Sequence, residues 1–182
     1  MPLDPTKLAG SLGDLFRGKP LFPKDAAEAG QKWARAYREY AQSAQAGATF
    51  PAAPVLASAE SALAKDLGNA FQIAQDAGVA GAAIFLPLLD AAFLKFWATP
   101  IPFLVPPPPA PPTMTGVVTP PVPATLAAMM SAGLAAGLAP GVPTSSQGIA
   151  IAAALDAWTK SVKVVNTPVT PPGPPLPPAP LA

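Results

Sequence analysis

Few side chains in this sequence could do chemistry, and their types restrict what that chemistry could be. There is no cysteine and no histidine among the 182 residues. That removes thiolate nucleophiles, Cys/His zinc sites, serine–histidine triads and histidine general bases together. The ten acidic residues are scattered, whereas a carboxylate metal site needs them clustered at short spacing. Ser145-Ser146 read as helix-start residues, with no base nearby to activate either. Trp33, Tyr37 and Tyr40 could stack on a ligand, but aromatics at helical spacing are more often core. Lys32, Arg35 and Arg38 could hold a phosphate. Interleaved with Glu28 and Glu39, they are more often a solvated helix face, with Arg35 and Glu39 paired at i, i+4. Met129 and Met130 could line a plastic groove, core filling being the commoner use. The sequence therefore predicts no enzyme, no catalytic residue, no cofactor, no metal and no small-molecule substrate.

Composition narrows the partners as well. A net charge of +1 gives no electrostatic case for nucleic acid. The hydrophobic share of 51% suffices for a core. Much of it is alanine, so the expected core is thin and built of helix–helix contacts. The opening MPLDPTKLAG lacks the basic-then-apolar pattern of a signal peptide. The most apolar stretch, Val79 to Val105, contains Asp90, Lys95, Pro87, Pro100 and Pro102. It reads as a buried helix plus an extended tail rather than a membrane span.

The elements that would position these residues are mostly helices. Asp4 can cap, and Pro5 can open, a first helix reaching Phe16, with Leu8, Leu12, Leu15 and Phe16 on one stripe. A second is predicted from Asp25 to Ala46, with Asp25 and Glu28 resembling a capping box. A third spans about Val55 to Ala77 and stops at Gly78. A fourth, Val79 to Ala98, carries the widest apolar face, with Pro87 as a kink or late start. Two shorter ones follow, from Ala124 to Leu138 and from a Thr144/Gln147 capping box to near Lys160.

Between and after these helices the character changes. Pro100 to Pro123 holds eleven prolines in 24 residues and reads as a polyproline-like strap, with Thr115 to Thr119 its only strand-like patch. Ser161 to Asn166 could be a short strand, and Pro168 to Ala182 holds eight prolines. Only Asp156, Lys160 and Lys163 are charged after residue 99. Such a region can neither build a large core alone nor stay solvated as a free tail, so it is expected to lie on something. Proline lowers the entropy cost of docking it. The expected fold class is mainly α, a small helical bundle plus a helical hairpin joined by extended proline-rich arms with little strand. The expected segments are a helical domain (1–99), a strap (100–123), a hairpin with a short strand (124–166) and a C-terminal arm (167–182). The expected interface residues are Phe103, Leu104, Val105, Val117, Val118, Val164, Val165 and Leu176.

Residues 55–105 and 124–182 also share a plan: two helices, a tryptophan (Trp97, Trp158) ending the second, then extended chain. Duplication and compositional coincidence are both open.

Several blocks carry a likeness: Pro2-Leu3-Asp4-Pro5-Thr6-Lys7-Leu8-Ala9 leading to Leu15-Phe16; Trp33-Ala34-x-Ala36-Tyr37-x-x-Tyr40-Ala41; Phe96-Trp97 before Thr99-Pro100; and Ala154-Leu155-Asp156-Ala157-Trp158-Thr159 before a valine-rich strand. Together they resemble small alanine- and proline-rich virion proteins of tailed bacteriophages. The resemblance implies a structural place in the particle (neck, tail or baseplate), assembly in the host cytoplasm, and other virion proteins and copies of the chain as partners. No catalytic motif travels with it. The alternative is a secreted, surface-associated alanine/proline-rich bacterial protein.

Overall fold

Asp4 accepts hydrogen bonds from the backbone N–H of Thr6 and Lys7 at 3.0 and 3.2 Å and so starts α1, Pro5–Asp14. Asp25 does the same for α2, Ala26–Ala41, through the N–H of Glu28 at 2.7 Å. Glu28 reaches back one residue beyond the expected box, to the N–H of Lys24 at 2.8 Å. That bond and Lys32 hold the Glu28 carboxyl below its ordinary range. α3 spans Ala53–Asp76 and ends where Gly78 takes a left-handed φ of +55°. A short 3-10 turn, Gly78–Ala80, leads into α4, Gly81–Ala98, which contains Pro87. α5 is Thr125–Gly137 and α6 is Ser145–Thr159. The computed structural model describes residues 3–15, 23–47, 49–104, 113–137, 145–170 and 173–182. Phe16, Leu138 and the Thr144 half of the expected capping box lie outside them.

The expectation of little strand is overturned. A five-stranded antiparallel sheet in the order β1-β2-β3-β4-β5 curls as a half-barrel beside the helices. Its strands are β1, Phe50–Pro51; β2, Phe103–Leu104; β3, Thr113–Thr119; β4, Lys163–Thr170; and β5, Ala179–Pro180. β2, β3, β5 and the second half of β4 come from the segments expected to be proline-rich arms, and the first half of β4 falls on the short strand expected at Ser161–Asn166. The physical reason lies in where the prolines sit. Pro51 and Pro180 occupy edge strands, where a missing N–H costs no ladder bond to a further strand. Pro168 pairs with Met114 beside a register shift at Thr113/Met114. The middle of the sheet is β-branched: Val117 pairs with Val165, and Val118 with Val164.

The C-terminal arm is part of this sheet. Leu176 N–H donates to Asn166 O at 2.8 Å, Ala179 pairs with Val164, and Leu181 N–H donates to Val162 O at 3.2 Å. Ala182 and Gln45 exchange both backbone bonds, at 2.9 and 3.1 Å.

A continuous hydrophobic core runs from Leu3 and Leu8 through Tyr37, Leu63, Phe93, Trp97 and Trp158 to Leu181. It therefore draws on all four expected segments. Small residues set the closest helix crossings. A Cβ on Gly30 of α2 would lie 2.5 Å from Gly68 N in α3, and one on Gly148 of α6 would lie 2.7 Å from Gly13 Cα in α1. Among the described residues, no helix is long and apolar enough to cross a membrane. In α4, Asp90 is buried, and Lys95 pairs with Asp66 at 2.7 Å.

Candidate interaction surface

The aromatic and basic residues of α2 are committed to the fold. Tyr37 and Tyr40 are each 1% exposed, and Trp33 packs edge-on against Phe71 with ring centroids 5.3 Å apart. Lys32 pairs with Glu28, Arg35 with Glu39 and Arg38 with Glu60. Met130 is core, whereas Met129 is exposed.

Among the described residues, and apart from Asp90 of α4, which accepts from the start of α5, the buried polar groups form two clusters. In the first, Trp97 Nε1 donates to Tyr37 Oη at 2.7 Å, Tyr37 Oη pairs with Thr159 Oγ1 at 2.8 Å, and Tyr40 Oη donates to Asp156 at 2.7 Å. This ties α2, α4 and α6 together beneath the sheet. In the second, Asn166 of β4 donates from Nδ2 to Ala46 O at 2.9 Å and accepts at Oδ1 from Thr49 at 3.0 Å. Among the described residues, no buried side-chain nitrogen or oxygen lacks a partner, and no three acidic side chains converge to hold a metal.

Burial raises both tyrosines well above their ordinary value near 10, and for Tyr40 the bond to Asp156 adds to the shift. A raised folded-state pKa contributes stability that is fully present below the unfolded pKa. It is lost as pH rises towards the folded one. Stability is therefore expected to fall above about pH 10. The tyrosinate absorbance of the two tyrosines, the only two in the chain, should appear together with unfolding in an alkaline titration. Tyrosinate appearing near pH 10 in a still-folded chain would contradict this.

The sheet has two unlike faces. Strand alternation and burial put Phe103, Gly116, Val118, Val164 and Asn166 inward, against the helices. The inward side at Gly116 has no room for a side chain: a Cβ there would meet Val164 Cγ1 at 2.6 Å and Phe103 Cβ at 2.8 Å. Leu104, Thr115, Val117, Thr119, Lys163 and Val165 alternate to the other face. There Val117 is 69% exposed and Leu104 45%, with Val165 half-buried beside Val117. Lys163 at one end is the only charged side chain on that face among the described residues. A groove of about 430 Å³ runs alongside, between Thr99–Pro102 and Gly116–Val118.

The expected interface residues thus divide. Leu104, Val117 and Val165 meet on the outer face, and Leu176 is exposed on the arm. Phe103 and Val164 are each 0% exposed and belong to the chain's own core, where the two-residue period of the strands places them. Val118 packs partly against that core. Val105 lies outside the described residues. The sequence reading missed the exposed Val122, which follows β3, and Val169, at the far end of β4. Their signal was present as lone valines among prolines. No protein-family model matches the chain, and no curated protein and no solved structure is similar to it at a significant level.

Proposed function

We propose that the chain is a non-catalytic structural subunit of a tailed-phage virion, a neck, tail or baseplate component. On this reading it meets its neighbours through the outer face of its proline-framed sheet. The observation that carries the reading is the Leu104–Val117–Val165 patch. It is apolar, nearly uncharged and held on a sheet whose inner face is locked into the core. Rigid apolar surface of this kind associates without the ordering cost that a floppy tail incurs. The placement in a phage particle rests on the resemblance of the helical blocks. The partners are other virion proteins and copies of the chain, with no nucleic acid, cofactor or substrate required.

The test is incorporation. Replacing Leu104 and Val117 together by lysine should lower the amount of chain recovered in purified particles at least tenfold. The melting temperature should stay within about 3 °C of the parent, because both side chains face solvent in the free chain. Undiminished incorporation of the double variant would overturn the role of the face. Recovery of the parent chain chiefly from the culture medium, and not from particles, would favour the secreted surface-associated reading.

A further inference from the structure

We propose that the C-terminal arm, residues 173–182, is an exchangeable element that pairs with β4 of a second copy of this chain as well as with its own.

The arm has two unlike parts. Residues 173–178 read Gly-Pro-Pro-Leu-Pro-Pro, and all six are exposed. Four of them lack an N–H, and among the described residues the stretch makes one backbone bond, from Leu176 N–H to Asn166 O. This part is a spacer. Residues 179–182 are the anchor. Ala179 and Pro180 pair with Val164 and Lys163. Leu181 is 2% exposed in the core, and Ala182 exchanges two backbone bonds with Gln45. The specificity of docking is therefore concentrated in four residues at the far end of a stiff tether.

That arrangement favours exchange for three reasons. First, the anchor's contacts are with β4, with Val162 just before it, with Gln45 and, through Leu181, with the core, so an identical neighbour reproduces all of them and no contact is lost on swapping. Second, the spacer spans roughly 19 Å as polyproline-like chain. Among the described residues it adds one backbone hydrogen bond in its own chain, so little holds it to the near site. Third, residues 173–182 carry no charged side chain, so two arms can cross without side-chain charge repulsion. In dilute solution the tethered anchor sees its own site at an effective concentration on the order of millimolar, and the internal pairing dominates. Where copies are fixed side by side, the neighbour's site competes on equal terms. The inference rests on the structural-subunit reading and names one partner within it: another copy.

The chain has no cysteine, so an engineered pair reports without background. Lys163 and Pro180 lie opposite one another, and both are exposed. The full chain carrying Lys163→Cys and Pro180→Cys is mixed as equal parts of two isotopic masses, equilibrated under reducing conditions and then oxidised. At about 10 μM the expected product is the internally linked monomer. At about 1 mM, disulfides joining position 163 of one copy to position 180 of the other should rise at least tenfold, since the neighbour then rivals the effective concentration of the tether. Internal links alone at both concentrations would overturn the proposal. If the paired variant does not fold, sedimentation of the unmodified chain serves instead. Association near 1 mM that is lost in Leu181→Lys supports exchange, and a monomer at that concentration overturns it. The two readings fail separately. Loss of incorporation on changing Leu104 and Val117, with the arm linked only internally, would leave the subunit reading standing and exchange refuted.

Discussion

Replacing Asp90 by alanine should lower the stability of the chain by about 4 kcal/mol, or about 12 °C in melting temperature. Asp90 sits inside α4, only 3% exposed, yet its carboxylate serves a different helix. Oδ2 accepts from Ala124 N–H at 2.8 Å, and Oδ1 accepts from Leu126 and Ala127 N–H at 2.9 and 3.2 Å. These are the unpaired amides at the start of α5, which in most helices are capped by a residue of the same segment. Here the local residue is Ala124, which has no side-chain acceptor and sits at φ +67°. The alanine variant leaves three amides without their acceptor and a void beside Leu126, which is wholly buried. Asp90→Asn keeps one acceptor oxygen and should lose roughly half as much. Chemical denaturation read by tryptophan fluorescence measures both, since Trp158 donates to Thr125 at the same helix start, at 3.2 Å. A loss below about 1 kcal/mol for the alanine variant would contradict the cap, since that is the worth of one ordinary hydrogen bond.

The second large effect is expected at the crossing of α2 and α3. A Cβ on Gly30 would stand 2.4 Å from Ala64 O and 2.5 Å from Gly68 N. Both are backbone atoms of the facing helix, which cannot rotate away. Gly30→Val must therefore push the two helices apart and open the packing around Trp33, Leu63 and Leu67, at a cost of at least about 3 kcal/mol. Gly10 of α1 supplies the control, because nothing lies within 4 Å of its missing Cβ. Gly10→Ala should stabilise the chain by roughly 0.5–1 kcal/mol, through helix propensity alone. Opposite signs at two helical glycines are the expected result of parallel melts. A shared sign would mean that the crossing is looser than its geometry indicates.

How much of this was legible in the sequence follows from the range of each signal. Helix starts at Asp4 and Asp25, the stop at Gly78 and the buried stripe of Trp33, Tyr37 and Tyr40 are local patterns, and the structure contains them. The width of the apolar face on α4 also has a plain cause: that helix packs against α3, α5 and β3, and sets Phe93 against Tyr37 of α2 and Trp158 of α6. The sheet was not legible, because β1, β2 and β5 are two residues long and carry no periodicity of their own. Their identity comes from long-range pairing with β3 and β4. Proline density then suggested polyproline chain, although prolines at sheet edges are compatible with strand. The cap from Asp90 was equally hidden, since its partners are 34 to 37 residues away.

The candidate surface was half legible for a related reason. The run Thr115-Gly116-Val117-Val118-Thr119 marks a strand, but it does not say which of two adjacent valines faces out. Gly116 holds the clue, since a glycine amid β-branched residues signals close approach on its own face. Reading Gly116 as inward puts Val117 outward, as observed.

The most direct test of the central claim is hydrogen exchange on the full chain, free and within particles purified from producing cells. The account predicts that the chain co-purifies with the particles and that peptides covering 113–119 and 163–170 exchange more slowly there than in the free chain. Peptides of α2 and α3 should change little. A chain absent from particles, or present with β3 and β4 exchanging as they do in isolation, would contradict a structural subunit docked through its sheet.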